Sequence, residues 1–217
     1  AASDVYKRQA EEYIARHIDV EPPQLEALWR RTNLRHVYPR MCCGHVQGRL
    51  LKMLTAMVAP RRILEIGAFT GYSTLCLAEG MPEGCTLDTV EVDDEREDEL
   101  RTLFAADARG VDIRLHIGDA MEVVPRLPGQ WDLVLIDADK RLYLEMLEMV
   151  AARVPIGGII LADNTLWSGK VLADDAAHAD AQTRALARFN DAVAADTRFQ
   201  KVILPIRDGM TIMRRVR

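Results

Sequence analysis

The stretch RILEIGAFTGYST, residues 62–74, combines a short apolar run, a turn with two glycines and the start of a helix pattern. A continuous apolar run that ends at turn residues is typical of a buried strand. Gly67 and Gly71 allow the backbone to turn sharply and to approach a ligand closely. We therefore predict a strand over residues 62–66 and a helix over residues 72–78, the first unit of a parallel α/β sheet.

The same alternation of strand and helix patterns continues along the chain. It predicts an α/β fold with a doubly wound, mostly parallel sheet of seven strands. Residues 112–117 alternate strictly between apolar and polar side chains, which is typical of a half-exposed edge strand. The last two strands are separated by a short turn and form an antiparallel hairpin. Later strands are predicted at residues 86–92, 112–117, 133–136, 159–161, 202–206 and 211–213, and later helices include residues 94–108 and 184–195.

The chain is predicted to be one α/β domain with a helical extension in front of it. Residues 1–9 lack an initiator methionine, and we interpret them as vector-derived or read-through sequence. Residues 10–59 contain helical patterns interrupted by Pro22 and Pro23, and we predict an N-terminal helical extension that caps the substrate side. Residues 60–217 form the α/β core.

The composition argues against several classes of function. A net charge of −5 over 217 residues argues against a broad basic face for nucleic acid or for an anionic membrane. There is no apolar run long enough for a membrane span, and the first residues have no apolar core of a secretory signal. The four cysteines lack CxxC spacing, which predicts reduced thiols and a cytoplasmic location.

The predicted strand ends carry residues suited to a nucleoside. Open α/β sheets bind ligands outside the carboxyl ends of their strands. The dinucleotide fingerprint G-x-G-x-x-G is absent, because Phe69 stands at its second glycine, and this disfavours a bound pyrophosphate. Glu65 favours a ligand with a cationic group or else has a structural role. Glu91 can accept both hydroxyls of a ribose or belong to a solvated acidic run, and Asp119 with Ala120 either bounds an adenine ring or begins a helix.

A second set of polar residues follows the fourth and fifth predicted strands. Asp137 follows the fourth strand, and Asp163 and Asn164 follow the fifth. Neighbouring strand ends bring two carboxylates and an amide oxygen together, a set that suits Mg²⁺, with Mn²⁺ or Ca²⁺ as alternatives. Helix capping is the competing interpretation, and the nearby Lys140 and Trp167 favour the metal. Lys140 is one of only five lysines, and a lysine, unlike an arginine, can be tuned to act as a base.

Four segments together resemble the cation-dependent class I O-methyltransferases, the family that includes catechol and caffeoyl-CoA O-methyltransferases. The resemblance runs from about Met41 to the C-terminus. The segments are LEIGAFTGYST (64–74), GDAMEVVP (118–125), DLVLIDADKRLY (132–143) and ADNTLWSGKV (162–171).

The resemblance implies a Rossmann-like methyltransferase core with S-adenosylmethionine (SAM) as the methyl donor. It implies that Asp137, Asp163 and Asn164 hold the metal, and that Lys140 is the base. The acceptor is then a small vicinal diphenol, catechol-like or caffeoyl-type, contacted by Met41, Lys140 and Trp167, and the protein is a homodimer. The cofactor contacts implied are Met41, Glu65, Gly67, Tyr72, Ser73, Glu91, Asp119, Ala120 and Asp137.

Three other functions are opposed by features of the sequence. An NAD-dependent oxidoreductase is opposed by the missing G-x-G-x-x-G. Methylation of nucleic acid is opposed by the acidic balance and by the absence of an N-P-P-Y-type motif. A non-catalytic SAM-binding scaffold does not need a lysine beside a metal. The segments that select the diphenol are the N-terminal helices and the loop at residues 169–180, so the identity of the acceptor does not follow from the sequence.

Overall fold

The computed structural model describes residues 2–173 and 179–217, and the side chains from residue 9 onward within those ranges. Part of the loop expected to select the acceptor, residues 174–178, therefore lies outside the described residues. The strands are β1 (Arg62–Ile66), β2 (Thr86–Glu91), β3 (Asp112–Ile117), β4 (Leu133–Ile136), β5 (Ile159–Asp163), β6 (Phe199–Leu204) and β7 (Met210–Arg215). The α-helices are α1 (Ala2–His17), α2 (Pro23–Arg35), α3 (Gly44–Val58), α4 (Tyr72–Glu79), α5 (Glu97–Ala105), α6 (Ala120–Val123), α7 (Tyr143–Ala151) and α8 (Ala181–Ala195).

The seven strands form one sheet in the order β3-β2-β1-β4-β5-β7-β6. The first five in that order run parallel, whereas β7 is antiparallel to both β5 and β6. This confirms the predicted fold class, including the closing hairpin. The strand order reverses between β1 and β4, so a crevice opens at their carboxyl ends, where open α/β sheets bind ligands.

Both faces of the sheet are covered. On one face, Leu64 of β1 and Val134 of β4 belong to a core cluster that includes Phe189 of α8. On the other face, Ile63 of β1 packs in a cluster with Leu75 of α4 and with residues of α2 and α3. Helices on both faces bury both surfaces of the central strands, which explains their continuous apolar sequences.

The predicted element bounds were wrong at two helices and at β6, which spans Phe199–Leu204 and not residues 202–206. The helix expected over residues 94–108 is a 3₁₀ turn at Asp94–Arg96 followed by the shorter α5. The helix expected from residue 184 begins at Ala181, because the Asp180 carboxylate accepts a hydrogen bond from the backbone N–H of Thr183 at 2.8 Å. A carboxylate in that position satisfies a free N–H of the first turn and fixes where the helix starts.

The structure bears on the predictions about the cysteines and about membrane spans. The four cysteines are free and buried. Within the described ranges, no helix is long and apolar enough to cross a membrane.

A buried charged cluster lies across β1, β2 and β3. The carboxylate of Asp88, only 2% exposed, lies 2.6 Å from Arg62 Nη2 and 3.0 Å from His116 Nε2, and Trp131 Nε1 lies 3.4 Å away. Burial alone raises the pKa of Asp88, but the hydrogen bonds from His116, Arg62 and Trp131 outweigh it and lower the pKa overall. The carboxylate of Asp88 on β2 therefore links β1, β2 and β3.

We expect Asp88→Ala to lower the free energy of unfolding by about 3 kcal/mol. This is the lower end of the range for removing one partner of a buried ion pair, because Arg62 and His116 keep some contact with solvent. Urea unfolding at pH 7 measures the loss. Asp112→Ala is the matched control, since the Asp112–Arg114 pair is exposed and its loss should cost under about 1 kcal/mol. Equal losses in the two variants would contradict the assignment.

Candidate active site

A cavity of about 1010 Å³ opens at the carboxyl ends of the central strands. It brings together residues from the glycine turn, from the ends of β2, β4 and β5, and from the segment before α3. Predicted site residues that line it are Met41, Gly67, Tyr72, Ser73, Glu91, Asp119, Ala120, Asp137, Lys140, Asp163, Asn164 and Trp167.

Glu65 is the predicted site residue that does not belong to the described lining of this cavity. It is fully buried, and its carboxylate accepts hydrogen bonds from the hydroxyls of Ser73 (2.6 Å), Thr74 (2.5 Å) and Thr89 (2.6 Å). Burial raises the pKa of Glu65 to about 7, although the three hydroxyls oppose the shift. The glutamate therefore ties β1 to β2 and to the first turn of α4, as its structural interpretation suggested.

The glycine turn after β1 lies directly against the end of β4. Gly67 has φ +104°, and a side chain there would place its Cβ 1.9 Å from the carbonyl oxygen of Asp137. The backbone N–H of Asp137 donates to the carbonyl of Ile66 at 2.9 Å. Only glycine permits this approach, which sets Asp137 beside the turn.

Glu91 and Asp119 are held by backbone N–H groups. One carboxylate oxygen of Glu91 accepts from the N–H of Phe69 at 2.7 Å, and the other accepts from the N–H of Asp93 at 3.0 Å. The carboxylate of Asp119 accepts from the N–H of Met121 at 2.8 Å and caps α6. Asp119 therefore begins a helix, and with Ala120 it also lines the cavity, while its contact with an adenine ring stays a prediction.

Lys140 lines the cavity together with Asp137, Asp163 and Asn164, and it is 7% exposed. Its Nζ donates to Asp137 Oδ1 at 2.7 Å and to the hydroxyl of Tyr143 at 2.6 Å. The Tyr143 hydroxyl in turn lies 2.9 Å from the carbonyl of Asp163 and 3.2 Å from that of Ile136. Through Tyr143, the lysine is linked to the ends of both β4 and β5.

The carboxylate of Asp163 is nearly buried and is held from two sides. Its Oδ1 accepts from the backbone N–H of Asn164 at 2.8 Å, and its Oδ2 accepts from the side-chain amide of Gln47 at 2.7 Å. Burial and then the negative charge of Asp137 raise the pKa of Asp163 above its ordinary value. Sequence reasoning missed Gln47, because the two residues lie on α3 and β5 and no local pattern connects them.

The oxygen donors fit a hard divalent cation. No group of three or more His, Cys, Asp or Glu side chains in the described part of the chain is placed to hold a metal ion. The predicted set has only two carboxylates, Asp137 and Asp163, and its third member is the amide of Asn164. Two carboxylates and an amide oxygen that line one cavity are the oxygen-rich surroundings that Mg²⁺ favours.

Met41 and Trp167 form part of the remaining cavity wall. Met41 ends a 3₁₀ turn at Pro39–Met41 and is 58% exposed. Trp167 is half-buried in the loop after β5, and its indole N–H is buried without a hydrogen-bond partner within the described residues. Both residues present apolar surface beside the oxygen donors, which suits an aromatic ligand.

Solved structures of similar fold are methyltransferases. The SAH-bound methyltransferase PaMTH1 from Podospora anserina is 25% identical, with a TM-score of 0.89 and coverage of 98% of this chain and 96% of that chain. The O-methyltransferase TomG from Streptomyces achromogenes, solved in complex with SAM, shares the fold with a TM-score of 0.86 at 24% identity and 96% coverage of each chain. The fold is thus that of a methyltransferase.

Sequence comparison gives the family. A profile of the O-methyltransferase family matches residues 15–216. Caffeoyl-CoA O-methyltransferase 1 from Zea mays is 34% identical over 213 residues, which cover 91% of this chain and 80% of that protein. Its counterpart from Arabidopsis thaliana is 32% identical over 210 residues, covering 90% and 79%. The chain belongs to the O-methyltransferase family, and the resemblance found in the four segments is confirmed.

We expect Gly67→Ala to lower both stability and SAM affinity. Its Cβ would force the Asp137 carbonyl away and so separate the turn from the end of β4. Gly84→Ala is the matched control, because Gly84 also has positive φ but a Cβ there meets no atom within 4 Å. The control should lose only about 1 kcal/mol of unfolding free energy and no SAM affinity. Urea unfolding and calorimetric titration with SAM measure the two effects, and equal behaviour of the variants would disprove the close contact.

Proposed function

We propose that this protein transfers a methyl group from SAM to one hydroxyl of a vicinal diphenol, either catechol-like or caffeoyl-type. In this proposal Lys140 is the general base, and Asp137, Asp163 and Asn164 hold Mg²⁺, with Mn²⁺ or Ca²⁺ as alternatives. The observation that carries it is the position of Lys140 Nζ, 2.7 Å from Asp137 Oδ1 in a cavity that also contains Asp163 and Asn164.

The donor end of the cavity is formed by the glycine turn, Ser73, Glu91, Asp119 and Ala120. Each oxygen of Glu91 accepts one backbone N–H, and a carboxylate oxygen has a second lone pair that is then free for a ribose hydroxyl. Phe69 stands where the dinucleotide fingerprint has the glycine that lets the backbone approach a pyrophosphate, which supports a nucleoside without one. These residues support binding of the adenosine part of SAM.

The acceptor end places a base beside the oxygen donors. A divalent cation bound there would fix two adjacent phenolic hydroxyls and lower a hydroxyl pKa from its usual value of about 10. Lys140 Nζ has three hydrogen-bonding positions. Two are used by Asp137 and Tyr143, and the third is free for the acceptor hydroxyl. After it takes the proton, the ammonium is stabilised by the Asp137 carboxylate and held in place by the Tyr143 hydroxyl.

The N-terminal extension supports a capping role on the substrate side. Residues 37–43 of the extension line the cavity, and Gln47 of α3 holds Asp163. We also propose a cytoplasmic location and a homodimer. The free, buried cysteines support the first, and the family resemblance supports the second.

We expect Lys140→Met to lower the rate of methyl transfer roughly 10²–10⁴-fold, the usual contribution of a general base. SAM affinity should stay close to that of the unmodified protein, because Lys140 acts on the acceptor. Initial rates with a panel of catechols and calorimetric titration with SAM measure the two quantities. Lys201→Met, at an exposed lysine of β6, is the control and should keep full activity. Near-normal turnover in Lys140→Met would remove this lysine from the mechanism.

We expect EDTA to abolish methyl transfer and added Mg²⁺ to restore it. Calorimetric titration of the EDTA-treated protein with Mn²⁺ should show one site, and Asp163→Ala should lose it because a buried ligand is removed. Asp191→Ala, at an exposed carboxylate of α8, should bind Mn²⁺ normally. Full activity of the metal-stripped protein, or unchanged Mn²⁺ binding by Asp163→Ala, would refute the metal site.

A further inference from the structure

The turn between β6 and β7, residues 207–209, contacts two loops that line the cavity. We infer that Arg207 in this turn is a positioning residue that fixes the cavity wall at residues 40–43 and thereby determines which acceptor fits. This inference rests on the proposed function only for the nature of the acceptor. The contacts themselves do not depend on it.

The first loop held by the turn follows β5. The N–H of Leu166 donates to the carbonyl of Asp208 at 2.9 Å, and the N–H of Thr165 donates to the carbonyl of Gly209 at 3.1 Å. The N–H of Ser168 donates to the side chain of Asp208. Asn164 and Trp167 belong to this loop, so their positions depend on the turn.

The second loop, whose Cys42 and Cys43 are packed in the core, accepts hydrogen bonds from the Arg207 side chain. Its guanidinium donates through Nη1 to the carbonyl of Cys42 at 2.6 Å and also to that of Cys43, and through Nη2 to the carbonyl of Arg40 at 3.0 Å. The planar guanidinium is rigid, so this one side chain holds three backbone carbonyls on either side of Met41, those of Arg40, Cys42 and Cys43. Arg207 itself also lines the cavity.

Backbone conformation points to the same junction. Among the described residues, six non-glycine residues have positive φ, and four of them are Asn164, Trp167, Ser168 and Arg207. Such conformations persist only where surrounding contacts hold them, and they cluster at functional sites. Arg207, at φ +49°, occupies a position that glycine would fill with less strain, and its carbonyl contacts offset that strain.

The consequence is a division within the cavity. The contacts of Arg207 reach the wall with Met41 and do not touch Glu91 or Lys140. Removing the guanidinium therefore loosens the acceptor wall and leaves the donor site and the base in place. The expected signature is a higher KM for the diphenol with little change in kcat or in SAM affinity.

The test uses Arg207→Gly, which removes the guanidinium and suits the positive φ, and Arg207→Gln, which removes the charge. Arg214→Gln is the control, because Arg214 lies on β7 outside the cavity lining within the described residues. KM for each member of a catechol panel should rise at least about tenfold in both Arg207 variants. Amide hydrogen exchange in residues 38–44 should become faster. The kcat and the Kd for SAM should stay within about threefold of the values for the control variant.

An unchanged KM in both variants overturns the inference, even if exchange at residues 38–44 becomes faster. A parallel loss of SAM affinity and thermal stability also overturns it, because that pattern means a general structural role. If the unmodified protein methylates no diphenol, the proposed function fails, and the exchange measurement then decides alone whether Arg207 holds the 40–43 segment.

Discussion

The site depends on one close contact, between the turn after β1 and the end of β4. Gly67 leaves room for the Asp137 carbonyl, which a Cβ would meet at 1.9 Å. Because of that contact, Asp137 lies between the donor end of the cavity and Lys140, which is bonded to it at 2.7 Å. The order of the strands creates the crevice. The absence of a side chain at Gly67 then lets the turn after β1 approach the end of β4.

The same region concentrates buried polar groups, and each is supplied with partners. Glu65 is surrounded by three hydroxyls, Asp163 by an amide and a backbone N–H, and Lys140 by a carboxylate and a phenol. Buried polar groups are costly unless they are hydrogen-bonded, so these partners allow a charged cluster at the edge of an apolar core. The proposed cation site has its two carboxylates, Asp137 and Asp163, in one cavity with a single lysine, and this local excess of negative charge supports cation binding there.

Much of the fold and of the site could be predicted because it depends on local patterns. Strand periodicity shows where each strand ends, and parallel strands end at the same edge, so Asp137, Asp163 and Asn164 converge. The alternation of side chains along β1 also gives the direction of Glu65. Glu65 shares the face of Ile63 and lies beside Thr89 in β2, which turns it toward the hydroxyls of α4.

The long-range contacts could not be predicted, and they separate acceptor selection from chemistry. Gln47 meets Asp163, and Arg207 meets the carbonyls of Arg40 and Cys42, across more than a hundred residues of sequence. A single side chain that bonds to distant backbone leaves no periodic signal. The proposed donor and base groups follow the parallel strands, whereas the acceptor wall is held by the N-terminal extension and the last hairpin. Substitutions at residues 40–43 or at the Arg207 side chain can therefore change the shape of the proposed acceptor pocket without removing a contact of Lys140, whereas Gln47 also holds Asp163.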